Sequence, residues 1–204
     1  MNRHSAIVLA GGRSSRMGAD KASLAWDGST ILQRMVAELA RRFDDLVVVA
    51  GPCRGAPAPA WSGTDARLVR DSEAFQGPVL ALRLGLATVH TEVAFVCACD
   101  LPFVNADLAL ALCDIAAGRD AAIPMVDGRM QVLHAAYRKS ALPALDAMIE
   151  RGTRKLQDLV YMLDARMVAA DDLRAYDPEL RSFLNLNTPE DYARALPLAG
   201  KPVP

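Results

Sequence analysis

The sequence predicts a single doubly wound α/β domain, one mostly parallel sheet with helices on both faces, spanning residues 1–204. Three observations carry that expectation. Short apolar runs alternate along the chain with segments of helical period, the pattern of parallel strands joined by crossover helices. The first and the most apolar of these runs each end in residues able to carry chemistry. In open α/β sheets, ligands gather outside the carboxyl ends of the strands, near a topological switch point. No repeat, low-complexity tract or linker divides the chain, and its 204 residues suit one well-filled core.

The elements follow in order. Ser5–Ala10 is a buried-strand run that passes directly into Gly11-Gly12. From Thr30 to Phe43, apolar residues recur at Ile31, Leu32, Met35, Val36, Leu39 and Phe43, the period of an amphipathic helix. Leu46–Ala50 is a second strand, closed by Gly51-Pro52. Residues 51–65, rich in Gly, Pro and Ala, read as a surface loop. Arg67–Arg70 is a third strand, Pro78–Val89 a helix, and Val93–Ala98 the most apolar strand. Then come a helix over Ala106–Ala117, strands over Ala121–Met125 and Gln131–Tyr137, and helices over Lys139–Glu150 and Arg154–Leu163. Strands over Arg166–Ala169 and Phe183–Leu186 precede a closing helix, Pro189–Leu196, and residues 197–204 form a frayed tail.

Composition excludes several classes of function. Lys and Arg number 23 against 24 acids, net −1, which gives no general field for nucleic acid or an anionic membrane. Any anion must be caught locally. The first apolar run is too short for a signal peptide, and no later run has the length of a membrane helix, so a cytoplasmic protein is expected. The four cysteines, Cys53, Cys97, Cys99 and Cys113, form no C-x-x-C pair. Cys97 and Cys99 share one face of a strand, open to a metal reading but better suited to small buried hydrophobes. His4, His90 and His134 are scattered and read as structural or surface residues.

Four segments can carry chemistry. Leu9-Ala10-Gly11-Gly12 leads into Arg13-Ser14-Ser15-Arg16-Met17-Gly18-Ala19-Asp20-Lys21. Two glycines after a strand let backbone N–H groups approach an anion, and the serines, Arg16 and Lys21 add donors and positive charge. Its glycine spacing is neither that of a P-loop nor G-x-G-x-x-G. Cys99-Asp100-Leu101-Pro102-Phe103 ends the most apolar strand with a carboxylate suited to Mg²⁺ beside phosphate, though a turn or cap aspartate has the same local pattern. Asp71 follows the third strand, where it could accept from a nucleoside or simply end the strand. In Phe183-Leu184-Asn185-Leu186-Asn187, strand period two would put Phe183, Asn185 and Asn187 on one face. Thr188 would cap the next helix, with Pro189 at its first position and Asp191 closing a capping box.

Taken in order, LAGGRSSRMGADK, RDSEAFQGP, CDLPF and FLNLNTPEDY resemble the molybdenum cofactor guanylyltransferase family over nearly the whole chain. The resemblance implies a Mg²⁺-dependent nucleotidyltransferase that joins GMP from GTP to molybdopterin, with pyrophosphate leaving. It implies that Leu9, Ala10, Gly11 and Gly12 line the nucleotide, and that Arg16 and Lys21 contact phosphate. It further implies that Asp71 holds the nucleoside, that Asp100 binds Mg²⁺, and that Asn185 and Asn187 lie near the catalytic centre. Implied partners are GTP, molybdopterin, cofactor-insertion proteins and acceptor molybdoenzymes. The chain departs from the family pattern at Val49-Ala50-Gly51, where an asparagine is usual, at Ala81, and at Gln131-Val132-Leu133. Other readings stay open: a cytidylyltransferase for the same cofactor, a transferase for another small phosphorylated metabolite, and a non-catalytic cofactor carrier. Gly11-Gly12 favours guanine, and Arg16, Lys21 and Asp100 together favour catalysis over carrying.

Overall fold

The structure is a computed structural model that describes residues 4–10, 25–26, 28–52, 64–71 and 77–198. Among these residues the strands are β1 (His4–Leu9), β2 (Ala25–Trp26), β3 (Ser29–Thr30), β4 (Asp45–Ala50), β5 (Arg67–Arg70), β6 (Val93–Ala98), β7 (Ala121–Val126), β8 (Arg129–Met130), β9 (His134–Arg138) and β10 (Ala165–Ala169). The helices are α1 (Ile31–Leu39), α2 (Pro78–Thr88), α3 (Ala106–Ile115), α4 (Leu142–Glu150), α5 (Gln157–Val160), α6 (Ala170–Leu173) and α7 (Pro189–Ala195).

The main sheet has eight strands, in the order β10-β7-β9-β6-β1-β4-β5, with β8 paired to β7. Only β8 and β9 run against the rest. β2 and β3 form a separate hairpin. The chain travels outward from β1 through β4 to β5, then crosses back to β6 on the other flank of β1. That reversal makes the β1/β6 boundary a switch point, with its crevice at the strands' carboxyl ends.

The strands at the centre are apolar on both faces because both are covered. One layer, from α1, α3 and the segment around Leu180–Leu186, packs on Ala6, Val8, Phe95 and Cys97. The other, from α2, α4 and α5, packs on Ile7, Leu9, Val47, Val49 and Val96. α1 begins where Thr30 and Gln33 form a capping box, and it buries Ile31, Leu32, Met35, Val36 and Leu39. Each such aliphatic contributes about 1.5–3 kcal/mol when fully buried. α2 approaches closely: a Cβ on Gly85 would stand 2.7 Å from Ile7 Cγ2 and 3.3 Å from Val49 Cγ2.

Three expectations need correction. Residues 183–186 are not a strand: Arg181–Phe183 is a 3-10 turn and the following residues run irregularly to Thr188. Phe183 and Leu186 are buried while Leu184, Asn185 and Asn187 are exposed, a spacing of three set by the turn in place of the expected two. The helix expected over Arg154–Leu163 shrinks to Gln157–Val160, flanked by tight turns. Gln131–Leu133 is a turn, closed by the His134 N–H donating to the Gln131 carbonyl at 3.0 Å, and β9 begins only after it.

Candidate active site

Register brings several of the candidate residues to the switch point. β1 lies between β6 and β4, with Leu9 opposite Ala98 on one side and Val49 on the other. The pairing then runs one residue further. The Cys99 N–H donates to the Leu9 carbonyl at 3.1 Å, and the Ala10 N–H to the Val49 carbonyl at 2.7 Å. Ala10 therefore spends its own donor inside the sheet. Gly11, Gly12, Arg16 and Lys21 lie outside the described residues.

Asp100 lies two residues past the end of β6 and is half-buried at the crevice. Asp71 extends the β5 edge, its N–H donating to the Ala50 carbonyl at 2.9 Å. Adjacent strands are spaced by about 4.8 Å, so the line of Asp71 stands about 10 Å from β1 and about 14 Å from β6. The two residues thus stand at different ends of the same sheet edge. Asp100 lies at the end over β1 and β6, Asp71 at the end over β4 and β5.

The carboxyl-terminal segment reaches the same crevice. The Leu186 N–H donates to the Asp100 carbonyl at 2.9 Å, so the residues between Asn185 and Asn187 cross directly beside Asp100. Asn185 and Asn187 are both exposed. Thr188 accepts from the Asp191 N–H at 3.1 Å, and the Asp191 carboxylate takes the N–H groups of Thr188 and Asn187 at 3.0 and 3.1 Å. The capping box and Pro189 start α7 as its sequence requires. The Arg194 guanidinium, then the Asn187 N–H, hold the Asp191 carboxyl below the usual carboxylate range.

Beneath the crevice the chemistry is inert. Burial, then the neighbouring Cys99 and Asp100, push the Cys97 thiol well up, leaving it a neutral hydrophobe. His134 lies opposite Cys97 in the ladder. Its ring meets Phe95 at 5.0 Å and Phe183 at 4.5 Å. Burial lowers its pKa to about 3. Among the described residues no group of three or more His, Cys, Asp or Glu side chains could close on a metal ion. A Mg²⁺ held by one carboxylate, waters and substrate phosphates needs no such group, and Asp100 at the crevice fits that donor set.

The sequence reading missed one part of this end of the molecule. A cleft of about 800 Å³ opens between the β7–β8 hairpin, α5 and β10, lined by Met125, Arg129, Gln131, Tyr161, Met167 and Asn185 among others. The hairpin had a legible signal. Asp127-Gly128 turns with φ of 51° and 71°, and an Asp-Gly pair in that conformation joins two antiparallel strands tightly. Tyr161, 80% exposed, gave none, because its place at the cleft depends on β10 pairing with β7. Asn185 belongs both to this cleft and to the segment crossing Asp100.

Comparison with known proteins places the fold and the family. A family model described as the MobA-like NTP transferase domain matches residues 6–167. A probable molybdenum cofactor guanylyltransferase of Methanosarcina mazei is 40% identical over 195 residues, covering 92% of this chain and 87% of its own. Its counterpart in Methanosarcina acetivorans is 38% identical with the same coverage. Among solved structures, the molybdopterin-guanine dinucleotide biosynthesis protein A of Archaeoglobus fulgidus superimposes with a TM-score of 0.79. It is 28% identical, with 97% of this chain and 99% of that one covered.

Proposed function

The chain belongs to the MobA-like NTP transferase family, and from that premise we propose that it transfers GMP from GTP to molybdopterin, releasing pyrophosphate. The observation that carries the reading is the convergence on one crevice. The Ala10 backbone, Asp100 and the Asn185–Asn187 segment meet where β1 and β6 part, and Asp71 stands at the far end of the same edge.

A terminal phosphate oxygen of the acceptor attacks the α-phosphorus of GTP. The bond to the β-phosphate oxygen breaks, and its electrons leave with pyrophosphate. A phosphate monoester is largely ionised at neutral pH, so no side chain has to remove a proton. The task is to align two anions and to neutralise them. Arg16 and Lys21 bring positive charge to the phosphates, Asp71 accepts from the nucleoside, and Leu9, Ala10, Gly11 and Gly12 border it. Asp100 holds Mg²⁺, which when bound neutralises phosphate charge and orients the reacting groups. Asn187, and with it Asn185, orients the reacting phosphates. The cleft of Gln131, Tyr161 and Asn185 receives the acceptor. Its product passes to insertion proteins and acceptor molybdoenzymes.

The test is pyrophosphate release by purified protein with molybdopterin, Mg²⁺ and each nucleoside triphosphate in turn. GTP is expected to support turnover and CTP not, since a site built for the guanine donors leaves its acceptors unpaired with other bases. Equal or faster turnover with CTP would move the protein to the cytidylyltransferases. Asp100→Ala should lower turnover roughly 10²–10³-fold while the protein stays folded. Asn187→Ala should lower it at least about tenfold, a loss of about 1.4 kcal/mol in transition-state stabilisation. Variants with intact turnover at saturating Mg²⁺ would remove these roles.

A further inference from the structure

The segment that crosses Asp100 is held from behind by a buried acid. Asp177 is fully buried, and its carboxylate accepts three hydrogen bonds. They come from the Arg181 N–H at 3.0 Å, the Ser182 N–H at 2.8 Å and the Ser182 hydroxyl at 2.6 Å. Leu180 completes the turn in a left-handed conformation, φ 53°, with its N–H on the Asp177 carbonyl at 2.9 Å. Upstream, the Asn105 amide of the α3 cap donates to the Tyr176 carbonyl at 2.9 Å. Downstream, Phe183 packs on His134 and Leu186 donates to Asp100.

Burying a carboxylate is costly unless every lone pair that faces protein is matched. The left-handed position of this turn is Leu180, so Asp177 serves the turn only through the donors it accepts. A carboxylate differs from an amide in being acceptor only. Here both of its oxygens face donors, and all three donors come from Arg181 and Ser182, four and three residues ahead of Asn185. That fixes the direction in which the chain leaves the turn.

We propose that Asp177, together with Ser182, is a positioning residue for the transfer reaction: a buried acceptor that aims residues 185–187 across Asp100. The proposal rests on the reading that Asn185 and Asn187 face the reacting groups. In Asp177→Asn the amide NH₂ must point at one of the donors the carboxylate accepted, so the turn loses its single orientation. Ser182→Ala removes one bond and leaves the two backbone donors in place.

Two measurements test this on the full chain. The first is amide hydrogen exchange, which needs no substrate. The Leu184 and Leu186 amides should exchange at least roughly tenfold faster in Asp177→Asn, with a smaller increase in Ser182→Ala, while β1 and β6 amides keep their protection. Unchanged exchange at Leu186, or a uniform rise through the sheet, overturns the proposal. The second is turnover with GTP, Mg²⁺ and molybdopterin well below the melting temperature. Asp177→Asn should lose roughly tenfold to a hundredfold, and Asp177→Asn combined with Asn185→Ala and Asn187→Ala should be no slower than the slower of Asp177→Asn and the asparagine pair. Losses that multiply would show that Asp177 acts elsewhere and overturn it. Should Asp177→Asn fail to fold, Ser182→Ala carries both measurements. Should the wild type show no transfer from GTP, the functional reading fails, and the exchange result still decides whether the turn aims the segment.

Discussion

His134 shows how one residue can be tolerated at a cost that pH reveals. Its ring is enclosed by Phe95 and Phe183, and neither nitrogen meets a hydrogen-bond partner among the described residues. A neutral imidazole always carries one N–H, so the site is built around an unsatisfied donor. Burial takes its pKa from 6.5 to about 3. Between those values the unfolded chain binds a proton that the folded chain refuses, so stability falls as pH falls, by about 1.4 kcal/mol for each unit of depression. Asp45 acts lower on the scale. Burial alone would raise its pKa, but the His90 N–H, Ser5 and Arg67 outweigh that and hold it below the usual carboxylate range. The stability it adds is present above that range and is lost only as pH drops through its folded value. Melting temperature should therefore begin to fall below about pH 6.5, the free-histidine value, before any carboxylate is involved. His134→Leu should flatten that first stage and leave stability at pH 7 unchanged or higher, since it replaces an unpaired polar group by an apolar one. A pH profile identical to wild type would refute this account.

At the scale of elements, the closest contact is between α2 and the sheet. Gly85 faces Ile7, itself fully buried, with no room for a methyl group. In an exposed helix Gly→Ala would stabilise by about 1 kcal/mol. Here overpacking should outweigh that by forcing α2 off β1 and β4, for a net loss of about 1–3 kcal/mol by denaturant titration. A more stable Gly85→Ala would mean that α2 moves freely on the sheet. Elements with a strong local code were legible in the sequence. α1 declared itself by its apolar period, and α7 by Thr188, Pro189 and Asp191. β1 and β6 were legible because strands buried on both faces are continuously apolar. Phe183–Leu186 was misread because alternating Leu and Asn imitates a strand, while its true spacing is set by Asp177, outside the motif. The position of Asp100 just past β6 was legible in the sequence. The cleft was not, because its walls join α5, β8 and β10 through pairings that no local pattern encodes.

In the molecule as a whole, six parallel strands put Asp71 and Asp100 on one edge, and the reversed β9 brings the Gln131–His134 turn to that same edge. A ligand bound there touches elements from both layers of the fold and should stabilise all of them together. GTP with Mg²⁺ at a hundred times its dissociation constant should add about 2.7 kcal/mol, which in a chain of this size raises the melting temperature by roughly 5–10 °C. Chelation, or Asp100→Ala, should abolish most of the shift. A shift unaffected by chelation would argue that the nucleotide binds without metal. The bond from Leu186 to Asp100 also has a meaning in time. Leu186 follows Asp100 by about 86 residues, so at ~5–20 residues per second the ribosome adds it roughly 4–17 seconds later. Until then Phe95 and Cys97 lack the cover that Phe183 and Leu186 later supply. The growing chain offers a sticky, half-built pocket to chaperones before it can offer a finished one to substrate.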